Sequence, residues 1–400
     1  MLGLAYLLSR DRHAVSLRAV LSGVVLQWLL ALFVLRSTVG QALVRGAAEI
    51  VQAVLDMTYE GSAFVFGALG QAGGGDSGLG VVFAFQVLPT IIFIASLFAV
   101  LYHLGLMQLV VRGFARVTVR LFGASGAESL VVIASVFMGQ TEAPLTVRPY
   151  LDRLTESELF TVMVAGMASV SGAILGAYVL VGQVSIEHLL TAVAMTAPIS
   201  LTMAKIIVPE TQAGETAGDA PELGGAPSRN VLDAAATGAG EGLTLALNVG
   251  AVLIAFIALV ALVNLMLAFA CDYALGQPVT LEQLLGWVFS PIALLMGVPW
   301  RDAVAVGGVL GTRTIVNELI AFGELRELAP ALAERSQAIA TFAVCGFANL
   351  SSIGIQIGGL GVIVPSRRAD IARLGLLALV AATLANFSTA CVAGALLPIP

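Results

Sequence analysis

Residues 131–147, VVIASVFMGQTEAPLTV, constrain this chain more than any other stretch. The run is apolar enough to sit at membrane depth, yet Gly139, Gln140, Thr141, Glu142 and Pro144 occupy its middle. An ionisable side chain within lipid costs about 3 kcal/mol on insertion scales, so it normally faces a partner or a water-filled cavity. Glycine and proline beside it break the helix, and broken backbone at that depth is tolerated only where protein buries it or it lines a cavity. The stretch predicts a re-entrant helical hairpin with Gln140, Thr141 and Glu142 at its tip.

Composition marks the chain as a polytopic membrane protein. Of its 400 residues, 58% are hydrophobic and only 11% charged, against about 25% charged in a soluble domain. The 43 glycines suit helices that pack closely in a bilayer. Cys271, Cys345 and Cys391 lie in apolar runs and read as buried thiols, with no C-x-x-C pair. The sequence has no Walker loop and no dinucleotide fingerprint, so it carries no motor for an ATP-driven pump and no cofactor is expected. His13, His103 and His188 are scattered and Lys205 is the only lysine, which leaves neither a metal pair nor a Ser/Lys pair for an intramembrane enzyme.

Residues 1–9 are apolar but far shorter than the roughly 20 residues of a spanning helix, and they lack the marks of a signal peptide. A basic stretch follows, with Arg10, Arg12, His13 and Arg18. Spans are expected over 17–35 and 85–111, with an amphipathic interfacial helix at 37–56 and a Gly-rich segment at 61–80. Arg112, Arg116 and Arg120 recur four apart and share one helical face, which suits an interfacial helix at anionic headgroups. The spans 159–181 and 188–208 come next, and ASVSG at 168–172 should unwind the first of them. Residues 209–230 read as an exposed loop. A strong span at 243–269 precedes 281–299, which Pro291 breaks and which should lie partly in the interface. A second interrupted stretch, 307–322, holds Thr312, Arg313, Thr314, Asn317 and Glu318. The spans 339–364, interrupted by NLSS at 349–352, and 374–397 complete the chain.

Two units therefore share one order: an acid-tipped broken hairpin, a polar turn, then a spanning helix with a Ser/Asn-rich break. Interrupted segments at matching places are the mark of transporters built from inverted repeats, and they point to the substrate site. The expected fold is an all-α polytopic membrane protein with two re-entrant hairpins, two unwound helices and about 7–8 spans. Its expected parts are an N-terminal scaffold (1–121), a first transport repeat (122–208), a loop and interfacial helix (209–242), a scaffold helix with an interfacial helix (243–300), a second transport repeat (301–364) and a last span (365–400). The basic clusters at 10–18, 112–120, 148–153 and 367–373 should be cytoplasmic, and the 209–230 loop with them.

The segments GQTEAPL (139–145), RPY (148–150), SELF (157–160), LALNVG (245–250), Asn317-Glu318 and CGFANLSSI (345–353) resemble the concentrative nucleoside transporter family. Ile91-Ile-Phe93, Leu101-Tyr102 before Gly105, and residues 367–375 extend the resemblance over essentially the whole chain. It implies a homotrimer in a bacterial inner membrane that imports nucleosides such as uridine or adenosine, with no nucleic-acid partner. Each protomer would hold a scaffold part in contact with membrane lipid and a transport part. Bacterial members commonly have eight spans, of which this sequence shows the first only as residues 1–9. Carried over by position, the base-binding group falls on Gln140, Thr141 and Glu142, with Ile174 as an apolar contact. The ribose-binding group falls on Glu318, Asn349 and Ser352, with Phe347 and Asn317 lining the pocket.

The chemistry of these residues also stands without the resemblance. A carboxamide such as Gln140 offers donors and an acceptor to a base edge, and a carboxylate such as Glu318 accepts two charge-assisted bonds from a cis-diol. The plainer alternatives are that Glu142 and Glu318 pair with Arg148 and Arg313 to hold the hairpins, that Asn349 and Ser352 only pack helices, and that Phe347 is core. For the coupling ion, the resemblance places a side-chain amide of sodium-coupled members seven residues before the hairpin glutamate, where this chain has Ser135. The remaining ion ligands would be the carbonyls of Met138 and Val170 and the hydroxyl of Ser169. Loss of the amide favours proton coupling through Glu142; sodium coupling and an uncoupled, gate-type protein are the alternatives.

Overall fold

The computed structural model describes residues 1–73, 82–216, 228–275 and 279–397. Parts of the Gly-rich segment 61–80 and of the 209–230 loop therefore lie outside the described residues. Helices carry the fold. A short helix α1 (Leu2–Leu7) precedes α2 (Leu17–Arg36) and α3 (Thr38–Phe66). The latter two are entered through Ser16 and Ser37, whose hydroxyls accept from Ala19 N and Gly40 N. The expected interfacial helix at 37–56 thus runs ten residues further, to Phe66. The span α4 (Phe83–His103) turns at Gly105 into α5 (Leu106–Phe122), which carries the three arginines. Gly105 (φ 79°) and Gly123 (φ 66°) bound α5 in a left-handed conformation that a side chain would strain.

The first repeat starts with α6 (Gly126–Ala134), a turn, and a 3-10 helix over Ala143–Arg153. The second arm of this hairpin is not the α-helix expected, because Pro144 and Pro149 remove amide donors and Val147 leaves helical geometry. A broken helix follows, α7 (Glu156–Ala168) and α8 (Gly172–Gly182), then α9 (Ile186–Ile207). Both α6 and α7 begin with reciprocal capping boxes, Ser125/Glu128 and Thr155/Glu158.

The next helix, α10, runs unbroken over Val231–Leu275 and so passes through positions 242 and 243. Helix α11 (Leu281–Leu295) bends by 117° into α12 (Trp300–Ile315), and α13 (Glu318–Leu328) completes the second hairpin. The second broken helix is α14 (Glu334–Val344) and α15 (Leu350–Ile363), and α16 (Arg368–Leu396) ends the described chain. Its break falls at 345–349, just before the NLSS segment, because Asn349 caps α15 and accepts from Ser352 N.

Six helices among the described residues are long and apolar enough to cross a membrane, or seven if the bent α11–α12 pair is one span. The spans α9 and α16 and the broken span α7–α8 are largely enclosed, whereas the most apolar stretch of α10 has no buried residue. Two large apolar cores result, beside a small third around Phe122 and Leu201. One joins α6, α7, α9 and α16, the other α8, α12, α13, α14 and α16, so α16 serves both repeats. The basic clusters meet at one end: Arg10 and Arg373 bond Glu156, Arg153 pairs with Glu215 at 2.8 Å, Arg367 bonds the Leu154 carbonyl at 2.7 Å, and Arg18 bonds the Arg120 carbonyl.

Candidate functional site at the crossing of two broken helices

The two broken helices touch at their breaks. Phe347 N donates to Ser169 O at 3.3 Å, and Gly172 N donates to Phe137 O at 3.1 Å, which seats the turn of hairpin 1 against the first break. Glu318 is the first residue of α13, entered through Asn317, whose Oδ1 accepts from Ile320 N at 2.9 Å. A helix start carries free amides and partial positive charge, which suits a carboxylate. Glu318 is only 5% exposed. Its Oε2 accepts from Asn349 Nδ2 at 2.8 Å and its Oε1 from the hydroxyl of Tyr178 at 2.9 Å.

Asn349 in turn accepts at Oδ1 from Ser351 Oγ (2.6 Å) and Ser352 N (3.0 Å), and Ser352 Oγ bonds the Phe347 carbonyl. Gln140 reaches this group from hairpin 1: its Nε2 donates to Ser352 Oγ at 3.3 Å, and its Oε1 accepts from Gln356 Nε2 at 3.4 Å. Thr141 packs against α15 at Gly359, where a Cβ would collide with its methyl group. Ile174 is buried on α8, and Phe347 is half-buried within the break. Glu142 is exposed, and its Oε2 accepts from Gly139 N at 3.0 Å.

Among the described residues neither hairpin glutamate makes the arginine ion pair considered from sequence. Arg148 is exposed, while Arg313 is buried and bonds Asn386 and Thr383.

The five ion-coupling candidates split by what their polar atoms do. Ser135 is fully buried and turns its hydroxyl back to Val131 O at 2.8 Å. Ser169 is also buried, and its Oγ has no hydrogen-bond partner among the described residues. Met138 ends the turn that follows Ser135, and Val170 lies in the first break beside Ser169. Glu142 is the open carboxylate of the set.

Sequence reading missed Tyr178, Gln356 and Asn386. Each is the sole residue of its kind in an apolar helix, and a polar tip at membrane depth demands a partner. That signal was available, although it does not name the partner.

Broken helices crossing at their breaks, flanked by two hairpins, define a transporter of the inverted-repeat class. Three family descriptions match the chain: "Na+ dependent nucleoside transporter N-terminus" over residues 1–69, "Nucleoside recognition" over 84–184, and "Na+ dependent nucleoside transporter C-terminus" over 188–394. The chain is 43% identical over 395 residues to the uncharacterized transporter YutK of Bacillus subtilis, covering 98% of this chain and 96% of that protein. It is 38% identical to the nucleoside permease NupC of Helicobacter pylori, covering 98% and 94%. Among solved structures it resembles CNTnw in an inward-facing substrate-bound state, with 41% identity, TM-score 0.92, and 99% and 96% of the two chains covered. The chain belongs to the concentrative nucleoside transporter family and is a multi-pass membrane transporter.

Proposed function

We propose that this protein is a secondary active importer that carries nucleosides such as uridine or adenosine across a bacterial inner membrane by alternating access. The observation that carries the reading is the clamped Glu318 carboxylate at the start of α13, joined through Asn349 and Ser352 to the Gln140 carboxamide. Glu318, Asn349 and Ser352 take the ribose hydroxyls; Gln140, Thr141 and Glu142 take the base, with Ile174, Phe347 and Asn317 lining the pocket. The parts 122–208 and 301–364 move as the transport unit, against a scaffold of 1–121 and 243–300. The uncovered face of α10 supports assembly as a homotrimer, and α5 lies on the headgroups through Arg112, Arg116 and Arg120.

The coupling ion is a proton. Ser135 spends its hydroxyl on Val131 O, and a serine reaches less far than the amide it replaces. The exposed Glu142 carboxylate at the hairpin tip is then the group that can load a proton; closing the site desolvates the acid and favours its neutral form. Sodium is the second reading, favoured by the unpartnered Ser169 hydroxyl, with the Met138 and Val170 carbonyls as further ligands.

Uptake of labelled uridine into proteoliposomes separates the two. An inward pH gradient without sodium should drive accumulation, a protonophore should abolish it, and Glu142→Gln should remove the pH dependence. Saturable dependence on sodium at fixed pH, unaffected by the protonophore, would replace the proton by sodium. Uptake that never exceeds equilibrium would reject coupling altogether.

A further inference from the structure

Three elements interrupted at the site converge on one side chain in the last span. Asn386 is fully buried on α16. Its Nδ2 donates to the carbonyl of Ala168 at 2.8 Å and to that of Cys345 at 3.0 Å. Ala168 is the last residue of α7 and Cys345 closes α14, so one amide group ties off both broken helices. Its Oδ1 accepts from Arg313 Nη2, near the end of the first arm of hairpin 2. The same guanidinium reaches Thr383 Oγ1 at 3.4 Å and lies 5.7 Å over the Phe387 ring, both on α16.

The chemistry requires an amide here. The final carbonyls of a helix have no partner within it, and at membrane depth the protein itself must supply one. A carboxamide carries two donor hydrogens and an acceptor, and Asn386 uses all of them on three different elements. The packing leaves no slack: a Cβ on Gly346 would collide with the Asn386 amide and with the Ala168 carbonyl together.

We propose that Asn386 is a positioning residue that holds the base half of the site in register with the ribose half. It touches no substrate. It acts through Ala168, which precedes the Ser169 break against which hairpin 1 is seated, through Cys345, four residues before Asn349, and through Arg313, five before Glu318. Loss of the amide frees these three attachments from one another, so Glu318 and Asn349 are no longer fixed relative to Gln140. Binding then weakens more than turnover. The inference rests on Glu318 being the ribose carboxylate for one of its two readouts only.

The test uses the full-length protein in proteoliposomes, with Asn386→Ala and Asn386→Asp beside wild type. KM and kcat for uridine are measured, together with the preference for uridine over 3′-deoxyuridine and thermal unfolding in detergent. The expected result is a KM raised about tenfold or more with kcat within about threefold, and a preference reduced about fivefold or more. A merely structural residue would lower the melting temperature and leave KM and preference unchanged; that outcome in folded protein overturns the proposal. If Asn386→Ala does not fold, Asn386→Asp, which keeps the shape and the acceptor for Arg313, decides on the same KM. If neither folds, Arg313→Lys decides, because lysine keeps the charge but cannot hold Asn386 and Thr383 at once. A wild type that takes 3′-deoxyuridine as readily as uridine refutes the ribose reading alone, and the KM measurement still decides on Asn386.

Discussion

The tip of the first hairpin is an irregular turn, whereas that of the second is the start of a regular helix. In the first, Gly139 and Pro144 break the chain, and Glu142 stands exposed with a backbone amide as its hydrogen-bond donor. In the second, Asn317 caps α13 with no glycine or proline in the break, and Glu318 is buried with both oxygens engaged. One carboxylate is open and held by a backbone amide; the other is enclosed and held by two side chains. The ends of the repeats differ in the same way. In the first, Lys205 joins Glu128 of α6 (2.7 Å) to Ser157 of α7 (3.0 Å). In the second, Asp302 of α12 directly accepts from Ala333 N (3.1 Å) and Ser336 Oγ (2.6 Å) at the start of α14. Both tie a hairpin to the broken helix that follows it, one through a buried ion pair and one through neutral donors.

Five substitutions sharpen or break that contrast. Glu318→Gln should cut uridine kcat/KM by roughly 100-fold or more, since two bonds to a charged acceptor contribute about 1.5–3 kcal/mol each. Near-normal uptake by folded Glu318→Gln protein would remove the ribose assignment. Lys205→Met leaves Glu128 charged and buried, so it should cost about 3–5 kcal/mol of stability. Asp302→Asn, which loses charge assistance and the exposed Arg301 partner at 3.3 Å but keeps an acceptor for both donors, should cost about 1–2 kcal/mol. Thermal unfolding of the two variants side by side tests the difference, and equal losses would erase the distinction between the two ties. Tyr178→Phe removes one donor from Glu318 and should raise uridine KM roughly tenfold, as one bond of about 1.5 kcal/mol predicts. An unchanged KM would mean that Asn349 alone holds the carboxylate. Gln356→Leu should have the smallest effect, about threefold in KM, because its bond to Gln140 is long and neutral. Direct binding of uridine and adenosine to that variant would register any loss on the base side.

How far the sequence reaches follows from the same residues. Polar residues inside apolar runs located both hairpins and both broken helices, because lipid forbids unpaired backbone and isolated charge whatever the tertiary arrangement. The ASVSG break fell where it was expected. The NLSS break shifted a few residues upstream, because Asn349 acts as a helix cap and composition does not separate a cap from an interruption. The 3-10 arm over Ala143–Arg153 was implicit in Pro144 and Pro149, yet periodicity does not distinguish it from an α-helix.

Partnership was decided by the tertiary structure. Tyr178 lies 140 residues from Glu318, Gln140 lies 212 from Ser352, and Asn386 lies 218 from Ala168. Each of these side chains announces in the sequence that it needs a hydrogen bond. Which group supplies it depends on how two broken helices cross and which face of α16 lies between them, and packing of the whole chain sets that geometry. The sequence by itself therefore determined the class of protein and the residues under chemical obligation. Only the fold decided that Glu318 is clamped, that Glu142 is open, and that Arg313 answers to Asn386 instead of to either acid.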